Sequence, residues 1–232
     1  MDTENFVKYC KKNLNLEHAK LSDEYYYSNL PLCVIDAVFS IGIKYTTTKK
    51  VVEKFCNFFQ INKFRQDKNK SPLPNTQLSI NEFIDLYEEN GLDFFTKTIY
   101  DNRNRTSSVN GILKSVAVLD FLKVLQKYNV NYLQDINSTL LLNNNFKQDI
   151  KEIKGQGTGK SLAYFFMLAG NDNFIKPDRM IERFVESALG KKVSTDELIK
   201  LFDNSILNLK KEFPDLTLRE LDHEIWKYQR EL

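Results

Sequence analysis

Glycines at positions 155, 157 and 159 alternate within five residues, and this pattern constrains the fold of the 232-residue chain more than any other. Glycine inside a helix or strand loses more backbone entropy on folding than other residues do, so three alternate glycines predict a tight turn that approaches a ligand closely. An apolar run at residues 160–169 follows directly and predicts a helix. The first amide groups of a helix have no partner within it and, with the helix dipole, form a site for an anion. The sequence therefore predicts an anion-binding turn at a helix start.

A nucleotide-binding P-loop is one interpretation of this turn, because Gly159, Lys160 and Ser161 match the end of that motif. The motif G-x-x-x-x-G-K-[ST] also needs a glycine at position 154, where this chain has Lys154. A P-loop follows a buried strand, whereas residues 145–153 are polar with apolar residues at helical spacing. Both observations exclude the P-loop.

A helix–hairpin–helix is the second interpretation. Phe146, Ile150 and Ile153 share one face of a short predicted helix before the glycines, and a buried helix over residues 162–169 follows them. A further helix is predicted to start at Lys176-Pro177-Asp178. This order of elements predicts two helices joined by the glycine turn and then a third helix headed by an aspartate.

The arrangement resembles the HhH-GPD superfamily of base-excision DNA glycosylases. Residues 153–157 (Ile-Lys-Gly-Gln-Gly) stand where the family usually has L-P-G-V-G, and residues 176–181 stand where it has a V-D-T-H-V-like segment with the catalytic aspartate. The resemblance is specific over residues 146–189, with a weaker similarity over residues 30–59. It implies a six-helix lobe over residues 30–170, a second helical lobe formed by residues 1–29 and 171–232, and an active-site cleft between the two.

Helical periodicity elsewhere predicts an all-α fold without help from the resemblance. Residues 30–41 are apolar nearly all round, apart from Asp36, and predict a buried helix. Capping boxes are predicted to start three helices, and three stripes of apolar residues predict buried faces. The capping boxes begin at Ser79, Ser194 and Thr217. The stripes are Val51, Val52, Phe55, Phe58 and Phe59; Val109, Ile112, Leu113, Val116, Ala117, Leu119 and Leu122; and Met180, Ile181, Phe184, Val185, Ala188 and Leu189. In the second stripe, Asn110-Gly111 lies inside the helical pattern, and Thr106 or Ser107 is able to cap the helix.

Asp178 has two interpretations. Taken by itself it is a helix N-cap, since aspartate is favoured at that position. The resemblance implies in addition that Asp178 is the catalytic carboxylate, which stabilises the cation-like sugar of glycosidic cleavage and orients or deprotonates an attacking water. The positive end of a helix favours the ionised form that this role needs. The two interpretations are compatible.

Lys160 bears on the type of reaction. Bifunctional members of the family carry a lysine shortly after the hairpin, which forms a Schiff base with the sugar and allows the strand to be cut. The matching position here is Gly159, and Lys160 lies one residue later, about 100° further round a helix. We therefore expect Lys160 to contact a phosphate and the enzyme to be monofunctional, with a bifunctional glycosylase/AP lyase using Lys160 as an alternative.

Contacts with double-stranded DNA containing a modified base are expected from the turn and from cations near the helix starts. The candidate DNA-binding residues are Gly155, Gly157, Thr158, Gly159, Lys160, Lys176, Arg179, Arg103 and Arg105. A flipped base also needs a side chain that fills the vacated stack. The family's wedge lies after the first buried helix, where this chain has Ile43 and Tyr45 as candidates.

Metals and cofactors are few in this interpretation. The family's hairpin often binds a monovalent cation, and the matching main-chain carbonyls are those of Lys151, Ile153 and Gln156, so a structural Na⁺ or K⁺ is the one ion expected. No cysteine follows Cys56, so we expect no iron–sulfur cluster, and two distant histidines do not match a zinc site. We expect the three cysteines to be buried and reduced.

Composition is that of an ordinary globular protein, with 42% apolar and 28% charged residues and a net charge of +2. Such a small charge requires a DNA enzyme to gather its cations on one face. No signal peptide or membrane span is predicted, and we expect a cytoplasmic monomer. A non-catalytic helix–hairpin–helix module that binds DNA remains the alternative, because hairpin glycines alone serve that purpose.

Overall fold

The computed structural model describes residues 2–68 and 70–232, and the regular secondary structure of these residues is helical. The α-helices are α1 (Asp2–Asn13), α2 (Leu30–Phe39), α3 (Tyr45–Phe59), α4 (Ile80–Asn90), α5 (Leu92–Phe94), α6 (Lys114–Lys127), α7 (Ser138–Leu142), α8 (Asn144–Glu152), α9 (Lys160–Leu168), α10 (Arg179–Leu189), α11 (Thr195–Leu209) and α12 (Leu218–Glu231). A π-helical turn (Phe95–Ile99) continues α5. The described residues form no strand, only isolated bridges between Tyr27 and Phe64 and between Arg105 and Leu113. The predicted all-α class is confirmed.

The chain divides into two compact units. The central unit is Asp23–Ala169, and among its described residues six helices have nine residues or more: α2, α3, α4, α6, α8 and α9. The discontinuous unit combines the N-terminal segment up to Ser22 with Gly170–Leu232 and contains α1, α10, α11 and α12.

Helix α2 is the centre of the central unit, and all ten of its residues are buried, as its apolar sequence predicts. It packs against α3, α6 and α9. Asp36 is the one acidic or basic residue on this buried helix. Its carboxylate accepts hydrogen bonds from the Tyr27 hydroxyl (2.7 Å) and the Ser40 hydroxyl (2.7 Å), which offset the cost of removing the group from water.

An aromatic layer built around Phe55 fills the space between α3, α4 and the π-turn. The prediction that Phe58 belongs to this buried stripe was wrong, because 51% of its surface is exposed. Phe58 lies about 100° round the helix from Phe59, outside the buried face, and it stacks edge-on with Phe59 and Phe94. A run of aromatic residues therefore does not reveal which ring faces inward.

Helix α6 begins at Lys114, not near Val109, so the prediction of a helix through residues 109–112 was wrong. Asn110 has a positive φ of 54°, and the Thr106 amide donates to the Ile112 carbonyl oxygen at 2.9 Å, so residues 105–113 form a hairpin-like loop. Asn-Gly favours such a turn more strongly than it tolerates a helix interior. The expected cap by Thr106 or Ser107 was also wrong, since the residue before α6 is Leu113, and Val109 is 75% exposed.

The core of the discontinuous unit is formed by Phe6 on α1, Phe184 on α10 and Phe202 on α11, together with Leu221 and Ile225 on α12. The capping boxes predicted at Ser194, Thr217 and, in the central unit, Ser79 are confirmed. All three cysteines are buried and unpaired by disulfides, as expected. Within the described part of the chain, no helix combines the length and apolar character that crossing a bilayer requires.

Candidate functional site

The glycine turn joins α8 to α9 in the central unit. Phe146, Ile150 and Ile153 on the α8 side are buried, as predicted from their spacing. Gly155 (φ 90°) and Gly159 (φ 71°) adopt the left-handed region that disfavours side chains, whereas Gly157 does not. The two glycines at the ends of the turn are therefore required by the backbone, and the central one is not.

Hydrogen bonds within the turn fix its shape. The Gln156 amide donates to the Ile153 carbonyl oxygen, and the Gly159 amide donates to the Gln156 carbonyl oxygen, each at 2.9 Å. The Gln156 side chain is 1% exposed, and its Oε1 accepts from the Ser161 hydroxyl in the first turn of α9. Gln156 thus ties the turn to the helix that follows, a role that the sequence did not indicate.

Gly155 also lies against the loop formed by residues 105–113. A Cβ atom added at Gly155 would stand 2.3 Å from Thr106 Cβ and 2.5 Å from Thr106 Oγ1, so this contact is possible only for glycine. Thr106 is buried, and its Oγ1 accepts from the Ile112 amide at 3.2 Å. The loop that carries Arg105, one of the predicted DNA contacts, is therefore packed directly against the glycine turn, and Arg103 lies two residues before it.

Several cations lie on or beside the turn. The side chain of Lys151, in the last turn of α8, crosses Gly159, with Cε 3.1 Å and Nζ 3.9 Å from where a Cβ atom would be. Lys154 is exposed, and Lys160 begins α9 half-buried. Gly159 offers no side-chain cap to α9. The Lys160 amide donates to Thr158 Oγ1 at 3.4 Å, and the remaining amides of this helix start, with an ammonium group beside them, favour an anion.

The other DNA-contact and wedge residues predicted in the central unit differ in their exposure and in their hydrogen bonds. Arg103 is exposed, whereas Arg105 Nε donates to the Gly111 carbonyl oxygen at 2.8 Å and so braces the loop. Ile43 is half-buried and Tyr45 is 36% exposed. Burial, followed by the charge of Asp36, raises the pKa of Tyr45 above its usual value.

A buried lysine determines where the chain leaves α2 toward Ile43 and Tyr45. Lys114 is 1% exposed, and its ammonium donates to the carbonyl oxygens of Phe39 (2.8 Å) and Ile41 (2.6 Å). Both carbonyls lie at the C-terminal end of α2, where the helix leaves acceptors without partners and its dipole favours a cation. The segment with the two wedge candidates is therefore anchored from α6.

The monovalent-cation site stays a prediction. Two of its three expected ligands, the carbonyl oxygens of Ile153 and Gln156, each already accept one backbone amide and retain one lone pair. The third, that of Lys151, faces Gly157 at 3.7 Å from the added Cβ position. Among the described residues, no group of three or more His, Cys, Asp or Glu side chains is placed to hold a metal.

Asp178 is the N-cap of α10 in the discontinuous unit, as its sequence context predicts. Its Oδ1 accepts from the amides of Met180 (2.8 Å) and Ile181 (3.4 Å). Within the described residues Oδ2 accepts no hydrogen bond. One carboxylate oxygen therefore stabilises the start of the helix.

Lys176 and Arg179 flank Asp178, the first half-buried and the second exposed. The Lys176 amide donates to Asp222 Oδ1 at 2.8 Å, which sequence inspection did not indicate, because Asp222 lies 46 residues further along the chain. The pKa of Asp222 is raised to about 7, mainly by burial and in part by the charge of Asp178, while the hydrogen bond from the Lys176 amide and the charges of Lys176 and Arg219 oppose the shift. Two carboxyl groups therefore contact the backbone around the start of α10, that of Asp178 and that of Asp222 on α12.

Comparison with known families places the chain in one of them. The chain belongs to the DUF8548 family. The model of this family, described as a domain of unknown function, matches residues 4–230 and so includes both the glycine turn and Asp178. No curated protein and no solved structure matches the chain.

Proposed function

We propose that this protein is a DNA glycosylase of the HhH-GPD type, which extrudes a modified base from double-stranded DNA and hydrolyses its N-glycosidic bond. The observation that carries the proposal is that the two oxygens of the Asp178 carboxylate differ in their hydrogen bonds. Oδ1 caps α10, while Oδ2 accepts no hydrogen bond from the described residues. A carboxylate held in this way is rigid, and it still presents an oxygen to a reacting group. The order along the chain, with helix, glycine turn, helix and then a capped aspartate, supports the same function.

In the proposed reaction, the glycosidic bond breaks with the electron pair leaving on the base, and positive charge develops on the sugar. The Asp178 carboxylate stabilises that charge and orients or deprotonates the water that attacks the anomeric carbon. The amides at the start of α9, with Lys151 beside them, bind the backbone phosphate of the strand. Arg103, which is exposed and lies two residues before the loop packed against Gly155, extends the phosphate contacts.

Replacing Asp178 with Asn tests the proposal sharply, because asparagine caps a helix about as well as aspartate does and the fold is retained. Wild type and variant are incubated with a panel of duplexes containing uracil, hypoxanthine, 3-methyladenine or 8-oxoguanine, and released bases are measured by mass spectrometry. We expect base release by the wild type, loss of release by Asp178→Asn and unchanged affinity for the duplex. Equal release by both proteins would reject the assignment of Asp178.

A non-catalytic DNA-binding module is the second candidate, favoured by the fact that N-capping by itself accounts for Asp178. Such a module releases no base from any duplex, yet Gly157→Ala, which adds a methyl group to the exposed centre of the turn, weakens its DNA binding. Under both candidates, affinity falls steeply with salt. Base release is therefore the measurement that separates them.

Lyase activity is tested separately. A monofunctional enzyme leaves the strand uncut and forms no adduct with DNA on treatment with borohydride, since no Schiff base exists to be reduced. A trapped adduct that disappears in Lys160→Ala would replace the monofunctional assignment with the bifunctional one.

A further inference from the structure

The segment that leads into α10 is held by the first half of α12. The Arg219 amide donates to the Asp172 carbonyl oxygen at 3.2 Å, and Arg219 Nη1 lies 3.5 Å from Asp172 Oδ1. One helical turn further on, Asp222 Oδ1 accepts from the Lys176 amide at 2.8 Å. These two anchors fix the backbone of the segment at points six and two residues before Asp178. The position of the Asp178 carboxylate therefore depends on side chains from α12.

Asp222 differs from Arg219 because its charge changes near neutral pH. Burial is the main reason that its pKa is raised to about 7, and the negative charge of Asp178 adds to it. The charged groups that shift the pKa of Asp222 are Asp178 and Lys176 on the segment and Arg219 on its own helix; its neighbour His223 has a pKa lowered to about 4, mainly by burial, and stays neutral near pH 7. A carboxyl oxygen accepts a hydrogen bond in either protonation state, so the anchor to the Lys176 amide persists while the charge changes.

We propose that Asp222 is a positioning residue for Asp178. Asp222 holds the Lys176 backbone in place and, when it is ionised, adds a second negative charge beside the reaction centre. The inference rests on the proposed function, in which the sugar becomes positively charged. A second carboxylate stabilises that charge further, while it repels the phosphates of bound DNA. Raising the pH through neutrality therefore increases the rate of base release from bound DNA and weakens DNA binding.

The electrostatic coupling is tested without any enzymatic assay. Carboxyl ¹³C chemical shifts are followed by NMR as a function of pH in the wild type, Asp178→Asn and Asp203→Asn. Asp203 is the matched control, because burial also raises its pKa but it lies on α11. We expect Asp222 to titrate near neutrality in the wild type, at lower pH in Asp178→Asn, and unchanged in Asp203→Asn. An Asp222 pKa that is the same in Asp178→Asn as in the wild type would overturn the proposed coupling between the two carboxyl groups.

The contribution of Asp222 to the reaction is tested by measuring single-turnover base release at a series of pH values around neutrality. The substrate is a duplex from which the wild type releases a base. The rate for the wild type and Asp203→Asn is expected to rise roughly five- to tenfold with pH, as one added charge nearby predicts. Asp222→Asn, which keeps the acceptor for the Lys176 amide, should stay at the low-pH rate throughout. Asp222→Ala loses the anchor as well and should be slower than Asp222→Asn at every pH.

The outcomes separate this inference from the function on which it rests. A wild-type pH profile retained by Asp222→Asn, in an active enzyme, rejects the role of Asp222 alone. No base release by the wild type from any duplex rejects the proposed function and the charge effect together, and the NMR titration then decides only whether the two carboxyl groups are coupled.

Discussion

Gly155→Ala is the substitution that tests most directly how the glycine turn is built. Gly155 has a φ of 90°, and a Cβ atom there would overlap Thr106 Cβ at 2.3 Å. Thr106 has little freedom to move, because it is buried and β-branched and its Oγ1 accepts from the Ile112 amide. The added methyl group must therefore either displace the loop over residues 105–113 or distort the turn.

The expected cost has two parts. Placing alanine in the left-handed region costs about 1–2 kcal/mol, and overpacking a buried contact costs a further 1–3 kcal/mol or so. The sum, about 2–5 kcal/mol, is a large fraction of the stability of an ordinary domain. Gly157→Ala is the matched control two residues away, since its φ is not positive and its nearest neighbour, the Lys151 carbonyl oxygen, is 3.7 Å from the added atom. That change should alter stability by less than about 1 kcal/mol.

Urea unfolding, followed by circular dichroism, measures both changes. Thr106→Gly provides the second side of a double-mutant cycle, because it removes the atoms that the new methyl group would overlap. In the Thr106→Gly background, Gly155→Ala should cost about 1–3 kcal/mol less than in the wild type, with the backbone strain remaining. Equal effects of Gly155→Ala and Gly157→Ala, or no coupling in the cycle, would refute the packing argument.

Three further predictions concern buried or half-buried polar groups. Lys114→Met removes the donor from two carbonyl oxygens at the end of α2 and should destabilise the protein by about 3 kcal/mol in urea unfolding; a loss below about 1 kcal/mol would contradict that capping role. Tyr27→Phe takes one hydrogen bond from the buried Asp36 carboxylate and should cost about 1.5–3 kcal/mol, measured in the same way, whereas an unchanged midpoint would argue against it. The raised pKa of Asp222 means that its contribution to stability is present below about pH 4 and is lost as pH rises toward 7. In thermal unfolding, Asp222→Asn should therefore match the wild type near pH 4 and exceed it by on the order of 2 kcal/mol near pH 8, and a difference that does not vary with pH would contradict this sign.

Local patterns in the sequence were sufficient for the helix class, the capping boxes and the N-cap at Asp178. Each depends on residues within a few positions of one another, as with Ser194 and Glu197, whose reciprocal hydrogen bonds are encoded three residues apart. Local patterns failed at residues 109–112, where apolar spacing suggested a helix. These residues instead form a turn at Asn110-Gly111, which the bridge between Arg105 and Leu113 closes. The turn and the bridge together are more stable than a helix with a weak intrinsic preference.

The amino-acid sequence by itself determined that the chain is helical, that a turn with obligatory glycines joins α8 to α9, and that an aspartate heads α10. Tertiary structure alone decided that Thr106 occupies the space that Gly155 leaves, that Lys114 closes the end of α2, and that Asp222 reaches the Lys176 amide. The physical reason is distance along the chain. Helix periodicity and capping act over three or four residues, whereas these contacts join residues about 46 to 75 positions apart, which only the packing of whole helices brings together.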